Sequence, residues 1–249
     1  FLDKKYRYIL TILSQKYNLY IYMPTIVKSN YKNYIFAYIE NILSNLKIKG
    51  FVISNICNLK LLSSLSKDFA KKYDLIANYT FNVFNIYTVD ELKKLNVNSF
   101  TISPELDKDT INHLCTHSNL PNEIILYGKI PLTNMNYCLL GETDKCYPTC
   151  KQKCLSENKY YIQDRMNMKF RVIPDNIQTV TTIFNSKITS ILPKEFSSDS
   201  IRIDILDENI EEINNIINTI KNGKRFEGSN YTNGNLKRKI YKLSLSELD

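Results

Sequence analysis

Four of the six cysteines in this 249-residue chain crowd into one stretch, at Cys138, Cys146, Cys150 and Cys154, with the spacing C-x7-C-x3-C-x3-C. Thiolates are soft donors, and four that reach one point complete a tetrahedral zinc site or hold a cubane iron–sulfur cluster. Structural zinc is usually built on two tight CxxC or CxxH pairs, and this stretch has neither. An iron–sulfur cluster of the four-iron type is therefore expected, with zinc as the alternative. On one helix, the four-residue steps would line up Cys146, Cys150 and Cys154 along a face. Pro148 opposes a regular helix, because it removes a backbone donor and crowds the preceding turn. The expected carrier is an irregular loop that aims four sulfurs inward. Such clustering in a chain of this size favours a metal or cluster site over a disulfide framework. Cys57 and Cys115 stand among apolar residues on predicted helices and read as small buried hydrophobes.

Other residues could do chemistry by their place at the ends of predicted strands, where barrel active sites assemble. Asn78, Asn82, Asn85, Ser103, Glu105, Tyr127 and Arg202 or Asp204 lie at or near such ends. Glu105, in SPEL, is the candidate general acid/base or substrate hydrogen-bond acceptor; the competing reading is a carboxylate that favours the following helix dipole. Asn82, Asn85, Tyr127 and Arg165 are the candidate substrate-binding residues. Asn82 and Asn85 could instead brace a turn, and Asp164 with Arg165 could form a structural pair on a hairpin. His113 and His117, in INHLCTHSN, read as solvated polar residues at a surface helix end. No GxSxG elbow or HExxH run occurs, so serine-hydrolase and zincin mechanisms lack their parts.

The elements that must position these residues repeat. Short apolar, β-branched runs occur at Leu19–Met23, Gly50–Ser54, Asp74–Asn78, Ser99–Ser103 and Glu123–Tyr127. Their spacing, roughly 21 to 31 residues, fits one strand plus one crossover helix. Between the first two, Tyr34, Tyr38 and Ile42, with Ile35, Ile39 and Leu43 beside them, make a wide helical stripe. Val89–Leu95 and Asp109–Leu114 are shorter helix candidates. From Gly128 to about Lys159 no period is visible, which predicts a long functional loop. Lys159–Asp164 and Lys169–Ile173 predict a β-hairpin. Ile201–Leu206 predicts one more parallel strand, followed by a helix through Ile213, Ile216, Ile217 and Ile220. The fold class is thus α/β, a partial (β/α) barrel of parallel strands with a cysteine-rich loop and a β-hairpin insertion. Its expected parts are consecutive βα units over 1–128, cluster loop and hairpin over 129–190, and a last βα unit with a polar, irregular tail over 191–249.

The chain carries 33 basic and 25 acidic residues, a formal net charge of +8. This balance would attract a polyanion such as RNA, but the basic residues are scattered and also fit a Lys-, Asn-, Ile- and Tyr-rich composition. If RNA is a partner, Lys129, Lys145, Lys151, Lys153, Lys169 and Arg171 should gather at the mouth of the barrel. No run approaches a membrane span, this stretch shows no secretory signal, though a segment could have lost one, and a cytoplasmic location is expected. The chain starts at Phe1 in what reads as mid-helix, so it is expected to be a segment whose partner includes a preceding part of the same protein. A homo- or hetero-dimer is the other candidate assembly.

The run NVFNIYTVDELKKLNVNSFTISPEL over 82–106, YGKIPL at Tyr127–Leu132, the cysteine loop, YYIQDRMNMKFRV and IFNSK at Ile183–Lys187 follow one another in order. In this the chain resembles peptidase family U-32, also called collagenase-like proteases. The resemblance implies a barrel protein that binds a four-iron cluster through four cysteines. It further implies oxygen-independent hydroxylation of tRNA, ribosomal RNA or a small aromatic quinone precursor. The alternative it implies is a collagenase-like peptidase, or a peptidase-like binding protein, with structural zinc on the same cysteines; a non-catalytic scaffold is a third reading. Two positions depart from the family pattern. Thr179 stands where many relatives have a cluster cysteine, and Asn235 stands where the family ending YTxGH has its histidine.

Overall fold

The computed structural model describes residues 6–66, 68–143, 150, 152–155 and 159–237. The chain opens with helix α1 (Arg7–Lys16) and then alternates strands β1 (Tyr20–Tyr22), β2 (Gly50–Ile53), β3 (Asp74–Ala77), β4 (Ser99–Thr101) and β5 (Asn122–Gly128) with helices. These helices are α2 (Lys32–Asn45), α3 (Ile56–Ser63), α4 (Phe69–Lys72), α5 (Ile86–Lys94) and α6 (Lys108–His117). The five strands pair in sequence order, all parallel, as βα units with helical crossovers require. Part of the stripe predicted on α2 packs inward, with Ile35, Ile39 and Ile42 buried, whereas Tyr34, placed on the same stripe, is exposed. Asparagine and aspartate side chains start three of the later helices: Asn55, Asn85 and Asp107 each accept a backbone N–H from the first turn.

After β5 come β6 (Pro131–Met135), α7 (Leu140–Thr143), β7 (Tyr160–Gln163), β8 (Lys169–Pro174), β9 (Thr181–Phe184) and β10 (Ile188–Ser190). β6, β9, β8 and β7 form a separate antiparallel sheet in that order. The β7–β8 hairpin was legible in the sequence; β6 was not, and it occupies part of the stretch expected to be loop. The chain then returns to the main sheet: β10 pairs antiparallel with the end of β5, and β11 (Ser200–Ile203) pairs parallel with β5. Helix α8 (Ile210–Lys221) follows, with a capping box at Asn209 and Glu212. The tail is not wholly irregular, because β12 (Tyr231–Thr232) adds to β10 in parallel.

One core runs under the main sheet, with Phe51, Ile53, Phe100, Leu75 and Leu114 among its fully buried side chains. The parallel strands β1–β5 and β11 do not close: among the described residues β1 pairs only with β2, and β11 only with β5. No helix among the described residues is long and apolar enough to cross a membrane. Cys115 is half-buried beside the core, as expected, and burial raises its thiol pKa. Cys57 is exposed on α3 rather than buried. It falls on the outer side of a helix that buries Asn58, Leu59, Leu61 and Leu62 instead.

Candidate functional site

Arg202 stands on β11, and its guanidinium is the hub of the strand C-termini. Nε and Nη2 donate to the two oxygens of Asp204 at 2.5 and 2.9 Å, a bidentate fork. Nη1 donates to Oδ1 of Asn78, just past β3, at 2.9 Å, and lies 3.7 Å from Oε1 of Glu123 on β5. That Glu123 oxygen also accepts from the Thr101 hydroxyl of β4 at 2.9 Å. The guanidinium carbon sits 5.8 Å from the ring centre of Tyr22 and 5.9 Å from that of Tyr79. Asn78 closes the set by donating from Nδ2 to the Tyr22 hydroxyl.

In a flat sheet, β11 and β1 would be five strand spacings apart, about 24 Å. An arginine ring contact across that distance is impossible, so the sheet must curl until its first and last parallel strands face each other across the mouth. Burial alone would lower the Arg202 pKa, but Asp204 outweighs it and the net shift is upward. Burial raises the pKa of Tyr22 and of Tyr79. Both phenols are therefore neutral hydroxyls at physiological pH.

Around this hub opens a cleft with two adjoining compartments that share Thr25, Tyr79, Pro131 and Asn134. The larger, about 690 Å³, lies between the loop after β4, strand β6 and the tail. Glu105 is its charged lining residue, among Asn82, Ser103, Asn185 and Asn235. The smaller, about 320 Å³, holds Arg202, Asp204, Lys129, Tyr22 and Phe184. Lys129 is half-buried, and among the described residues its side chain makes no ion pair or hydrogen bond. Gly128 places it there: φ is +139°, and a Cβ would lie 2.6 Å from the Cβ and the carbonyl oxygen of Asp204.

The antiparallel sheet roofs this mouth and is bolted to it at two sides. Gln178, fully buried, accepts from the Lys28 N–H and donates to the Ile26 carbonyl, each at 3.1 Å. Arg171 on β8 donates to Asp207, after β11, at 2.8 and 3.4 Å. Burial alone would raise the Asp207 pKa, but the Arg171 bond and the nearby Lys159 hold it below the usual carboxylate range.

The stretch that carries the four cysteines falls between β6 and β7 of this roof. Cys138 follows β6, Cys150 is exposed, and Cys154 lies in a 3₁₀ turn (Lys153–Leu155) before β7. Cys146 lies outside the described residues. The base of the loop is fixed by Thr181 of β9, whose hydroxyl donates to the Tyr137 carbonyl at 2.9 Å and accepts from the Leu139 N–H at 3.2 Å. Cys138 and Cys150 form no disulfide among the described residues, and thiolates as a donor type suit a soft metal. Among the described residues, no three of His, Cys, Asp and Glu are gathered tightly enough to hold a metal ion. Cys138, Cys150 and Cys154 are therefore not brought together as a ligand set here, and Cys146, the fourth cysteine of the stretch, lies outside the described residues.

Of the residues picked from sequence, Glu105 and Asn82 line the larger compartment, and Asn78, Arg202 and Asp204 form the hub. Asn85 caps α5 by accepting from the Thr88 N–H and hydroxyl, 3.0 and 3.2 Å. Tyr127 is buried on a different cavity and donates to Glu208 at 3.4 Å. Arg165 is exposed at the β7–β8 tip. Asp164 there binds the N–H groups of Met166 and Met168, closing the turn rather than pairing with Arg165. Asn235, in place of the family histidine, donates to the Glu105 carbonyl at 3.1 Å. Thr179, in place of the family cysteine, accepts from Lys28 Nζ at 3.1 Å. Of the basic residues expected at the mouth, Lys129 is in the cleft and Arg171 is spent on Asp207, while Lys145 and Lys151 lie outside the described residues. Tyr22, Tyr79 and Phe184 were missed as site residues, since aromatic residues in a Tyr-rich chain read as core or edge by default.

No protein-family model matches the chain, and no curated protein matches it. Among solved structures the chain is similar to the U32 peptidase Mk0906, with a TM-score of 0.46 and 11% sequence identity, over 83% of this chain and 77% of that one.

Proposed function

We propose that the chain is a U32-type iron–sulfur protein that modifies a substrate seated in the cleft, with Cys138, Cys146, Cys150 and Cys154 as the ligands of a four-iron cluster. The observation that carries this reading is the double duty of β9. Its Thr181 ties down the segment around Cys138, while its Thr182 and Phe184 line the Arg202 compartment. The cysteine loop and the ligand space thus share one short strand. When bound, a cluster of this kind supplies electron transfer or activation of a bound group, tuned by hydrogen bonds to its sulfurs and by solvent exposure.

The chain's own residues would do the rest. Glu105 offers a carboxylate that can accept a proton or a hydrogen bond from a substrate hydroxyl or amide. Lys129, which has no ion pair among the described residues, offers its ammonium in the smaller compartment to a carboxylate or phosphate. Arg202, already engaged by Asp204 and Asn78, would hold the mouth rigid so that these groups keep their positions. RNA or a small aromatic is the substrate class implied by the family resemblance, in a cytoplasmic setting.

Binding of bulk tRNA at low and at moderate salt separates the two classes. An RNA substrate gives affinity that falls steeply with salt. A small ring in a closed pocket gives none with tRNA and little salt dependence of its own.

A further inference from the structure

The chain has two histidines, and both lie on α6, where neither lines the cleft. His113 and His117 are four residues apart, so their side chains leave the same face of the helix one turn apart. Both are exposed, and their rings stack with centroids 4.3 Å apart and planes 24° from parallel. Nδ1 of His117 lies 3.0 Å from the backbone carbonyl oxygen of His113. A carbonyl only accepts, so Nδ1 carries the proton of the neutral ring and Nε2 keeps its lone pair. Metal-ligating histidines usually have this arrangement, with the second ring nitrogen donating to a carbonyl or carboxylate that fixes tautomer and orientation.

We infer that His113 and His117 form a two-imidazole site for a borderline divalent transition metal such as Ni²⁺, Zn²⁺ or Cu²⁺. Neutral imidazoles suit these ions and disfavour Mg²⁺ and Ca²⁺, which take oxygen ligands. Among the described residues no third His, Cys, Asp or Glu joins the pair. The described residues thus leave the remaining positions open to water. Nitrogen–metal bonds of about 2.0–2.1 Å require the stacked rings to tilt their Nε2 edges together, which exposed side chains can do. The bound ion would staple the last turn of α6, where carbonyls run out of helical partners. It stands apart from the cysteine loop in sequence and in donor type.

The test follows the imidazole Hε1 resonances of the anaerobically purified chain by NMR as Ni²⁺ is added beyond the thiol content. With two histidines, His113→Asn and His117→Asn assign both signals. Both are substitutions at exposed positions, and far-UV circular dichroism confirms that the helix persists. The expected result is that paramagnetic Ni²⁺ broadens both signals together and that Mg²⁺ leaves them unchanged. Either single substitution should weaken the response of the remaining histidine at least tenfold in Ni²⁺ concentration. Independent broadening of each histidine, or two sharp signals in excess Ni²⁺, would overturn the site.

Discussion

Arg202 and Asn78 are joined by a hydrogen bond of 2.9 Å that crosses from the last parallel strand to the end of the third. In a flat sheet those strands would be about 14 Å apart. The bond therefore records the curl of the sheet and fixes the mouth of the cleft at once. Asp204 makes it affordable to keep the cation there, since only 16% of the Arg202 side chain is exposed.

Removal of Asp204 should be more damaging than removal of Arg202 and Asp204 together. Asp204→Ala leaves a buried guanidinium without its fork, and breaking such a pair costs about 3–5 kcal/mol. The double variant Arg202→Met with Asp204→Ala should recover part of that loss. Urea unfolding midpoints of the three proteins check the order.

The Arg171–Asp207 bridge should make the docking of the roof sensitive to acid. The Asp207 pKa is lowered on folding, so the unfolded chain binds the proton more readily and stability rises with pH through that window. The contribution is fully present above the ordinary aspartate value of about 3.9 and is lost as pH falls through the lower folded value. Asp207→Asn should cost about 2 kcal/mol at neutral pH. The gap between variant and parent should then narrow below about pH 4.

Gly128→Ala should displace the Lys129 segment, because a Cβ would collide with Asp204 in a backbone region that favours glycine. A loss of about 1–3 kcal/mol in stability is expected, together with weaker ligand binding. Gly141→Ala, with open space around the site, is the control and should be near neutral in stability.

If RNA occupies the cleft, Lys129→Ala should weaken binding and reduce the slope of log affinity against log salt by roughly one contact's worth, about 0.7–0.9. Arg171→Ala should alter stability more than that slope, since its guanidinium is committed to Asp207. Equilibrium binding at several salt concentrations separates the two effects.

Much of the architecture was written in local patterns. The run Gly50–Ser54 and its four partners alternate with helical stripes at a spacing that only crossover units satisfy, and they pair in sequence order. Ile201–Ile203 was legible for the same reason. β6 was not, because Pro131–Met135 is a roof strand with half-exposed faces and so carries no clean alternation. β12 is two residues long and exists through its partner β10. Glu105, Asn78, Arg202 and Asp204 were found from their places at strand ends. Tyr22 and Tyr79 were not, because their role depends on the curl that brings β1 opposite β11, a property of the whole sheet rather than of any window.

The central claim rests on the four cysteines, and the most direct measurement is metal and sulfide analysis of the anaerobically purified chain, read with its visible spectrum. A brown protein absorbing near about 400 nm, with about four irons and four sulfides per chain, is the predicted result. Cys146→Ser and Cys154→Ser should each bleach it. A colourless protein containing stoichiometric zinc, or one whose iron survives loss of these cysteines, would contradict the assignment.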